Sequence, residues 1–179
     1  MESLLDYAIS PAGPADAPDL AAVHVRSWRE TYPGLLPQAA LDRMNVAAHA
    51  RRFRLELMRA QPGRVTLLAE GADGAVGYVS GALAKADRKG ADAEVFTLYV
   101  LRKAQRVGVG EALLRSAARV LEAEGAKSLM LFVLSRNERA RGFYERLGGE
   151  AFAEVASRGW GAGLTETAYR WREIAALAG

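Results

Sequence analysis

With 179 residues, half of them hydrophobic and a quarter charged, the chain has the size and balance of one globular domain able to enclose a core without staples. A net charge of +3 gives no argument for nucleic acid, and no run of about 18 apolar residues offers a bilayer span. The absence of cysteine removes disulfides, thiolate metal sites and a cysteine nucleophile, and "MESLLDYAIS" carries no readable secretory signal, so a cytoplasmic location is expected.

Along the chain, "YAIS" predicts a first strand, and Asp16 and Pro18 then supply helix-start chemistry for a helix running to about Trp28. Pro33, Gly34 and Pro37 break that helix, and helical stretches resume over roughly residues 38–60. "RVTLLAE" and "AVGYVSGAL" flank "GADG", where Asp73 and Gly74 are expected to take the positive φ angles of a tight antiparallel hairpin. After the polar "KADRKGAD", the stretch "AEVFTLYV" reads as a central strand with apolar residues on both faces. Leu113, Leu114, Ala117, Val120 and Leu121 recur at helical spacing up to a stop at Gly125. "SLMLFVL" is a further buried strand, and a strand, helix, strand run places two parallel neighbours in one sheet. A short helix over "RNERARGFYERLGG" precedes two closing strands, "EAFAEV" and "TETAYRWREI", joined by "SRGWGAG". The pattern predicts an α/β domain with helices on both faces of a single mixed sheet.

Between the central strand and its following helix stands "QRVGVG", Gln105 to Gly110. Amides at a helix start point outward without partners and carry partial positive charge, so this hexapeptide is a candidate anion cradle as well as a simple turn. Gly108 and Gly110 permit close approach of a ligand to the main chain, and Gln105 and Arg106 add donors and charge. A nucleotide-binding loop of the Walker type needs Gly-Lys-Ser/Thr, whereas Gly110 is followed by Glu111 and Ala112. The dinucleotide fingerprint needs a glycine where Leu113 sits and an acid closing the next strand, which ends Leu134-Ser135-Arg136.

The spacing Gln105, Gly108, Gly110 resembles the pyrophosphate loop of the GNAT superfamily of acyl-CoA-dependent N-acetyltransferases. The context is similar as well: Leu98-Tyr99-Val100 precedes the loop and Ala112-Leu113-Leu114 follows it. "NERARGFYERLG" matches the family's second motif at Asn137, Ala140, Phe143, Tyr144 and Gly148. "VHVRSWRETYPGLLP" is similar to the first helices of one bacterial subgroup, so the resemblance covers most of the chain. Where many members have a proline after the strand, this sequence has Leu101-Arg102-Lys103, and a more mobile loop is expected.

The resemblance implies a mostly antiparallel sheet of about seven strands whose central parallel pair splays apart. It implies acetyl-CoA as co-substrate, with the pantetheine arm bonded to main-chain groups of Leu98, Tyr99 and Val100. The diphosphate would lie on the amides of Arg106, Val107, Gly108, Val109 and Gly110, with Asn137, Ala140 and Phe143 beside the arm; Asn137 serves equally well as a helix cap. Tyr144 is the candidate general acid, with a core role as its alternative, and Glu94 the candidate base. Period-two alternation puts Glu94 on one face with Phe96, Leu98 and Val100, where apolar neighbours raise an acid's proton affinity; a role as an exposed strand end is the alternative. Trp28 and Tyr32, together with Arg29 and Trp160, are placed where the family's acceptor wall lies, and packing explains them too. Arg136, Arg139 and Arg141 border the expected CoA entrance or are simply solvated. His24 and His49 lack metal-ligand company, so no metal is expected. The expected reaction is transfer of acetyl to a primary amine of a small molecule or peptide, with no nucleic acid or membrane partner. A homodimer is compatible with the family, and a non-catalytic CoA-binding or regulatory module on the same fold is the alternative function.

Overall fold

The computed structural model describes residues 7–59, 61–84, 90–157 and 163–179. Period-two segments give seven strands: β1 (Ala8–Pro11), β2 (Arg64–Gly71), β3 (Gly74–Leu83), β4 (Ala93–Val100), β5 (Leu129–Leu134), β6 (Glu150–Ala156) and β7 (Thr165–Trp171). They form one sheet in the order β1-β2-β3-β4-β5-β7-β6. All neighbours are antiparallel except β4 and β5, which run parallel, as the resemblance implies. The helices are α1 (Ala17–Thr31), α2 (Gln38–Asp42), α3 (Val46–Met58), α4 (Val109–Ala123), α5 (Glu138–Arg146) and α6 (Ile174–Ala178).

Alternation sorts the core into two layers. On one face Leu113, Leu114, Ala117 and Leu121 of α4 pack on Val65, Leu67, Val79 and Val95. The expected Val120 is not part of this stripe; it is 37% exposed, and Ala118 takes the buried position. On the other face Leu20, Ala21 and Phe53 of α1 and α3 cover Leu68 and Tyr78. Tyr32, Leu36 and Leu41, in and around the break between α1 and α2, close over Leu134 at the end of β5.

Two boundaries differ from the sequence expectation. The β2–β3 turn is Ala72-Asp73, because Gly71 pairs with Gly74; Gly74 has φ 97° and Asp73 is not left-handed. The last strand stops at Trp171, where the Ile174 amide turns off the sheet to the Lys127 carbonyl, 2.8 Å. Ile174, Leu177 and Ala178 then bury their side chains in the core under α4.

A third difference moves a candidate site residue. Ser80 stands opposite Thr97 while Gly81 stands opposite Val95, so Phe96 is an extra residue in β4. Such a bulge reverses the alternation beyond it. Cross-strand partners share a face, and Glu94 with Ala82, Thr97 with Ser80 and Tyr99 with Tyr78 are such pairs. Glu94 therefore faces the α1 side with Thr97 and Tyr99, not the side of Leu98 and Val100, and Phe96 is 46% exposed. Gly81 makes the bulge possible, since an added Cβ would meet the Glu94 carbonyl at 2.6 Å. Gly81→Ala is expected to cost about 1–3 kcal/mol of stability, read as a lower urea midpoint at unchanged slope; an unshifted midpoint would show that the bulge relaxes freely.

Candidate active site

The parallel strands pair only from Ala93 opposite Leu129 to Val95 opposite Leu131, and they part where the Phe96 bulge begins. A cleft of about 1450 Å³ opens there, lined by the outer halves of both strands, the start of α4, α5 and the end of α1. Pockets for one drug-sized ligand run to roughly 300–1,000 Å³, so the cleft has room for two reactants.

The loop leaving β4 is built to keep its amides bare. Leu101 donates to the Val76 carbonyl at 2.8 Å. The Arg102 amide and guanidinium both bond Glu30 at the end of α1, at 2.7 and 2.8 Å. Without the family's proline, these contacts tie the loop to α1. Arg106 and Gly108 then take left-handed backbone, φ 66° and 92°, and α4 starts at Val109. Among the described residues the amides from Arg106 to Glu111 donate to no main-chain acceptor; the next, Ala112, bonds the Gly108 carbonyl at 2.9 Å. Gly108 is required by its φ. At Gly110 an added Cβ would sit 3.5 Å from Phe143 and 3.7 Å from Val100, so the fold tolerates a side chain there. The Gln105 side chain points inward and donates to the Val100 carbonyl at 2.8 Å, bracing the loop against the strand end.

Arg106, Arg136, Arg139 and Arg146 line this half of the cleft. Arg141 does not, because its guanidinium donates to the Tyr169 hydroxyl and the Ser135 carbonyl, both at 3.2 Å. The Asn137 side chain caps α5, its Oδ1 accepting from the Ala140 amide at 3.2 Å. Ala140 and Phe143 face the cleft from the same helix.

The Tyr144 ring is core, against Phe143, Tyr169 and Trp171 with centroids 5.2, 5.9 and 6.3 Å away. Only 8% of the residue is exposed, yet it lines the cleft, and no described protein group hydrogen-bonds its hydroxyl. Burial pushes this phenol above its ordinary range, and the nearby Tyr99 phenol adds to the shift.

Across the gap lies an aromatic wall. Tyr32 stands edge-on to Trp28 at 5.3 Å and to Tyr99 at 6.5 Å, with the two tyrosine hydroxyls 3.4 Å apart. Tyr32 and Leu35 reach the cleft, whereas Trp28 stands behind them, within 5.2 Å of His24. Arg29 bonds the Met44 carbonyl at 3.1 Å and does not line the cleft. Trp160 lies outside the described residues. Glu94, 6% exposed, sits at the narrow end of the cleft. Leu35, Glu166 and Arg146 also line the cleft; Leu35 and Arg146 lie within the two resembling stretches but were not singled out there, and Glu166 lies outside every motif. Glu166 alternates with the core residues Thr167 and Tyr169, but only tertiary packing shows that its face borders a cavity.

His24 is a core residue: it is 4% exposed, bonded through Nδ1 to the Tyr78 hydroxyl at 2.7 Å, and its pKa falls to about 3 through burial and then the neighbouring His49 and Arg52. Among the described residues no group of three His, Asp or Glu can hold a metal ion, and no helix is long and apolar enough to cross a membrane.

The sheet is open, mixed and split at one parallel pair, with bare amides at the mouth of the split and a phenol inside it. The same fold is seen in the PaiA N-acetyltransferase of Thermoplasma acidophilum in complex with coenzyme A, at 18% identity, a TM-score of 0.75, and 93% and 100% coverage of this chain and that one. It is seen again in YncA of Salmonella typhimurium with its cofactor acetyl-CoA, at 19% identity, a TM-score of 0.69 and 95% coverage of both chains. Residues 23–149 match the model of the acetyltransferase (GNAT) family. The chain is 29% identical over 163 residues to "Uncharacterized N-acetyltransferase YuaI" of Bacillus subtilis, covering 90% of this chain and 91% of that protein. It is 30% identical over 140 residues to "Probable N-acetyltransferase Rv2775" of Mycobacterium tuberculosis, covering 77% and 76%. The chain belongs to the acetyltransferase (GNAT) family.

Proposed function

We propose that this enzyme transfers acetyl from acetyl-CoA to a primary amine by direct attack while both are bound. The observation that carries the reading is one continuous cleft with unpartnered amides and arginines at one side and an open Tyr144 hydroxyl at the split. Acetyl-CoA supplies an activated acetyl group as a thioester. The free edge of β4 from Thr97 to Val100 suits a strand-like pantetheine arm, and the amides from Arg106 to Gly110 with the adjacent arginines suit its diphosphate. Gln105 contributes by bracing Val100. Tyr144 donates a proton to the sulfur as the C–S bond breaks and the C–N bond forms, and Glu94, directly or through water, takes the proton that the amine gives up.

Thiol release from acetyl-CoA across a library of primary amines tests this reading. Coenzyme binding without release for any amine would leave a non-catalytic module, and no binding would remove the cleft assignment. The loop has its own test. In Gly110→Asp the new carboxylate suits the first turn of α4, so folding is retained, but it occupies the anion seat. Coenzyme A affinity by calorimetry is expected to fall at least tenfold with an unchanged melting temperature; undiminished affinity would place the diphosphate elsewhere.

A further inference from the structure

The proposed diphosphate seat carries an acid of its own. Glu111 stands in the first turn of α4, three residues past the cap residue Gly108, and lines the cleft beside the bare amides. A glutamate at this third helical position ordinarily turns back and accepts from the amide of the cap residue. Among the described residues no bond of that kind forms, and the Gly108 amide stays open. The Glu111 carboxylate is turned the other way, one turn down the helix, where it accepts from Nε of Arg115 at 2.9 Å.

A glutamate four residues ahead of an arginine is the favourable order on a helix, yet a surface pair of two flexible side chains holds its geometry only weakly. A second anchor removes that slack. Nη1 of Arg115 donates to the main-chain oxygens of Leu177 and Gly179, at 2.6 and 3.0 Å. These residues lie at the end of α6, whose Ile174, Leu177 and Ala178 are buried under α4. The guanidinium is thus fixed from the α6 side before it meets the carboxylate, and the rotamer freedom that would let the pair fall apart is already spent. Arg115 joins the short apolar tail after β7 to the mouth of the cleft.

We propose that Arg115 is a positioning residue for the coenzyme: it holds the Glu111 carboxylate away from the Gly108 amide and so keeps the diphosphate seat open. This deepens the acetyltransferase reading of the cleft and rests on it. Released from Arg115, Glu111 reaches back to the start of α4 and satisfies amides that the diphosphate needs. It competes from within the same chain, so dilution does not weaken it. Its charge also opposes the diphosphate when no bond is made. Arg115 acts through Glu111, because its Nε is committed to that carboxylate and its Nη1 to the α6 oxygens.

Arg115→Met keeps the aliphatic stem and removes the charge and the donors. Its coenzyme A affinity by calorimetry is expected to fall roughly three- to tenfold, the weight of one capping bond set against the ligand. Adding Glu111→Ala to Arg115→Met removes the competitor, and the affinity is expected to return to within about twofold of that of the unsubstituted protein. Glu111→Ala alone is expected to bind coenzyme A at least as tightly as the unsubstituted protein. Any loosening of α6 is common to the single and double Arg115 variants, so only the loss of Glu111 produces a recovery. The same cycle built on Arg115→Gln, which keeps a donor for the α6 oxygens, serves where the methionine variant does not fold. An unchanged affinity in a folded Arg115 variant overturns the assignment. So does a loss that Glu111→Ala does not recover, which would mean that Arg115 itself meets the coenzyme or that α6 shapes the seat. Failure of the unsubstituted protein to bind coenzyme A is a different result: it overturns the acetyltransferase reading of the cleft, and this inference with it.

Discussion

Tyr144→Phe is expected to lower kcat by about 10²–10⁴-fold, the range for loss of a positioned general acid, with little change in coenzyme A affinity. The substitution isolates the proton because every ring contact survives: Phe143, Tyr169 and Trp171 still surround a phenyl of the same shape. No described group loses a hydrogen-bond partner, since none bonds the hydroxyl, so the folded state is not penalised. Burial raises the phenol's proton affinity, which by itself weakens an acid. The leaving thiolate emerges into the same low-dielectric gap, where burial raises its proton affinity too, so the match between donor and acceptor is preserved. The raised phenol pKa also means that Tyr144 stays protonated past the usual range for tyrosine, and any fall in rate near pH 9 to 10 must come from another group. Steady-state kinetics with a melting curve on the same sample decides the matter. A folded Tyr144→Phe enzyme retaining kcat within about threefold would assign the proton to water.

The strands and the parallel pair at the split were legible because their causes are local. Period-two stretches, the hairpin glycine and the strand, glycine loop, helix succession each act within a few residues. What escaped the sequence depends on residues distant in the chain. The Phe96 bulge is set by where Gly81 lets the backbone of β4 approach, and nothing in "AEVFTLYV" announces it; yet that one residue moves Glu94 to the opposite side of the sheet. Gln105 fits a phosphate loop by pattern, but its side-chain amide donates to the Val100 carbonyl, a partner the pattern does not announce. Arg141 shares a cluster with Arg136 and Arg139 in the sequence, and helical geometry with Tyr169 on β7 turns it away from them. The short apolar tail after Trp171 is ambiguous between strand and helix at that length; the free α4 surface decides it. Motif spacing thus pointed to the side of the cleft that backbone amides dominate, the side proposed for the coenzyme. The opposite side is made of side chains from α1, β4 and β7, and their convergence is a tertiary fact.

Lowering the pH from 7 to 5 is expected to remove about 2 kcal/mol of unfolding free energy, and His24 is the cause. Its folded pKa is about 3 against an ordinary 6.5, so the folded protein holds it neutral. The unfolded chain binds a proton near pH 6.5 that the folded chain refuses until near pH 3. The stabilisation from neutral His24 is therefore complete above 6.5 and is lost progressively as the pH falls through that interval. The refusal has a structural origin: the imidazole is 4% exposed and bonded to the Tyr78 hydroxyl. It packs against the rings of Trp28, His49, Phe53 and Tyr99, and Arg52 opposes a positive charge there. His49 shifts in the same direction and adds a smaller part. Asp92, held below the usual carboxylate range mainly by the Lys127 amide, responds only below about pH 4 and does not confuse the measurement. Urea denaturation at pH 7, 6 and 5 reads the slope directly. His24→Gln keeps a polar partner for Tyr78 without a titrating group, so its stability should change far less between pH 7 and 5. A slope equal to that of the unsubstituted protein would move the acid sensitivity to another residue.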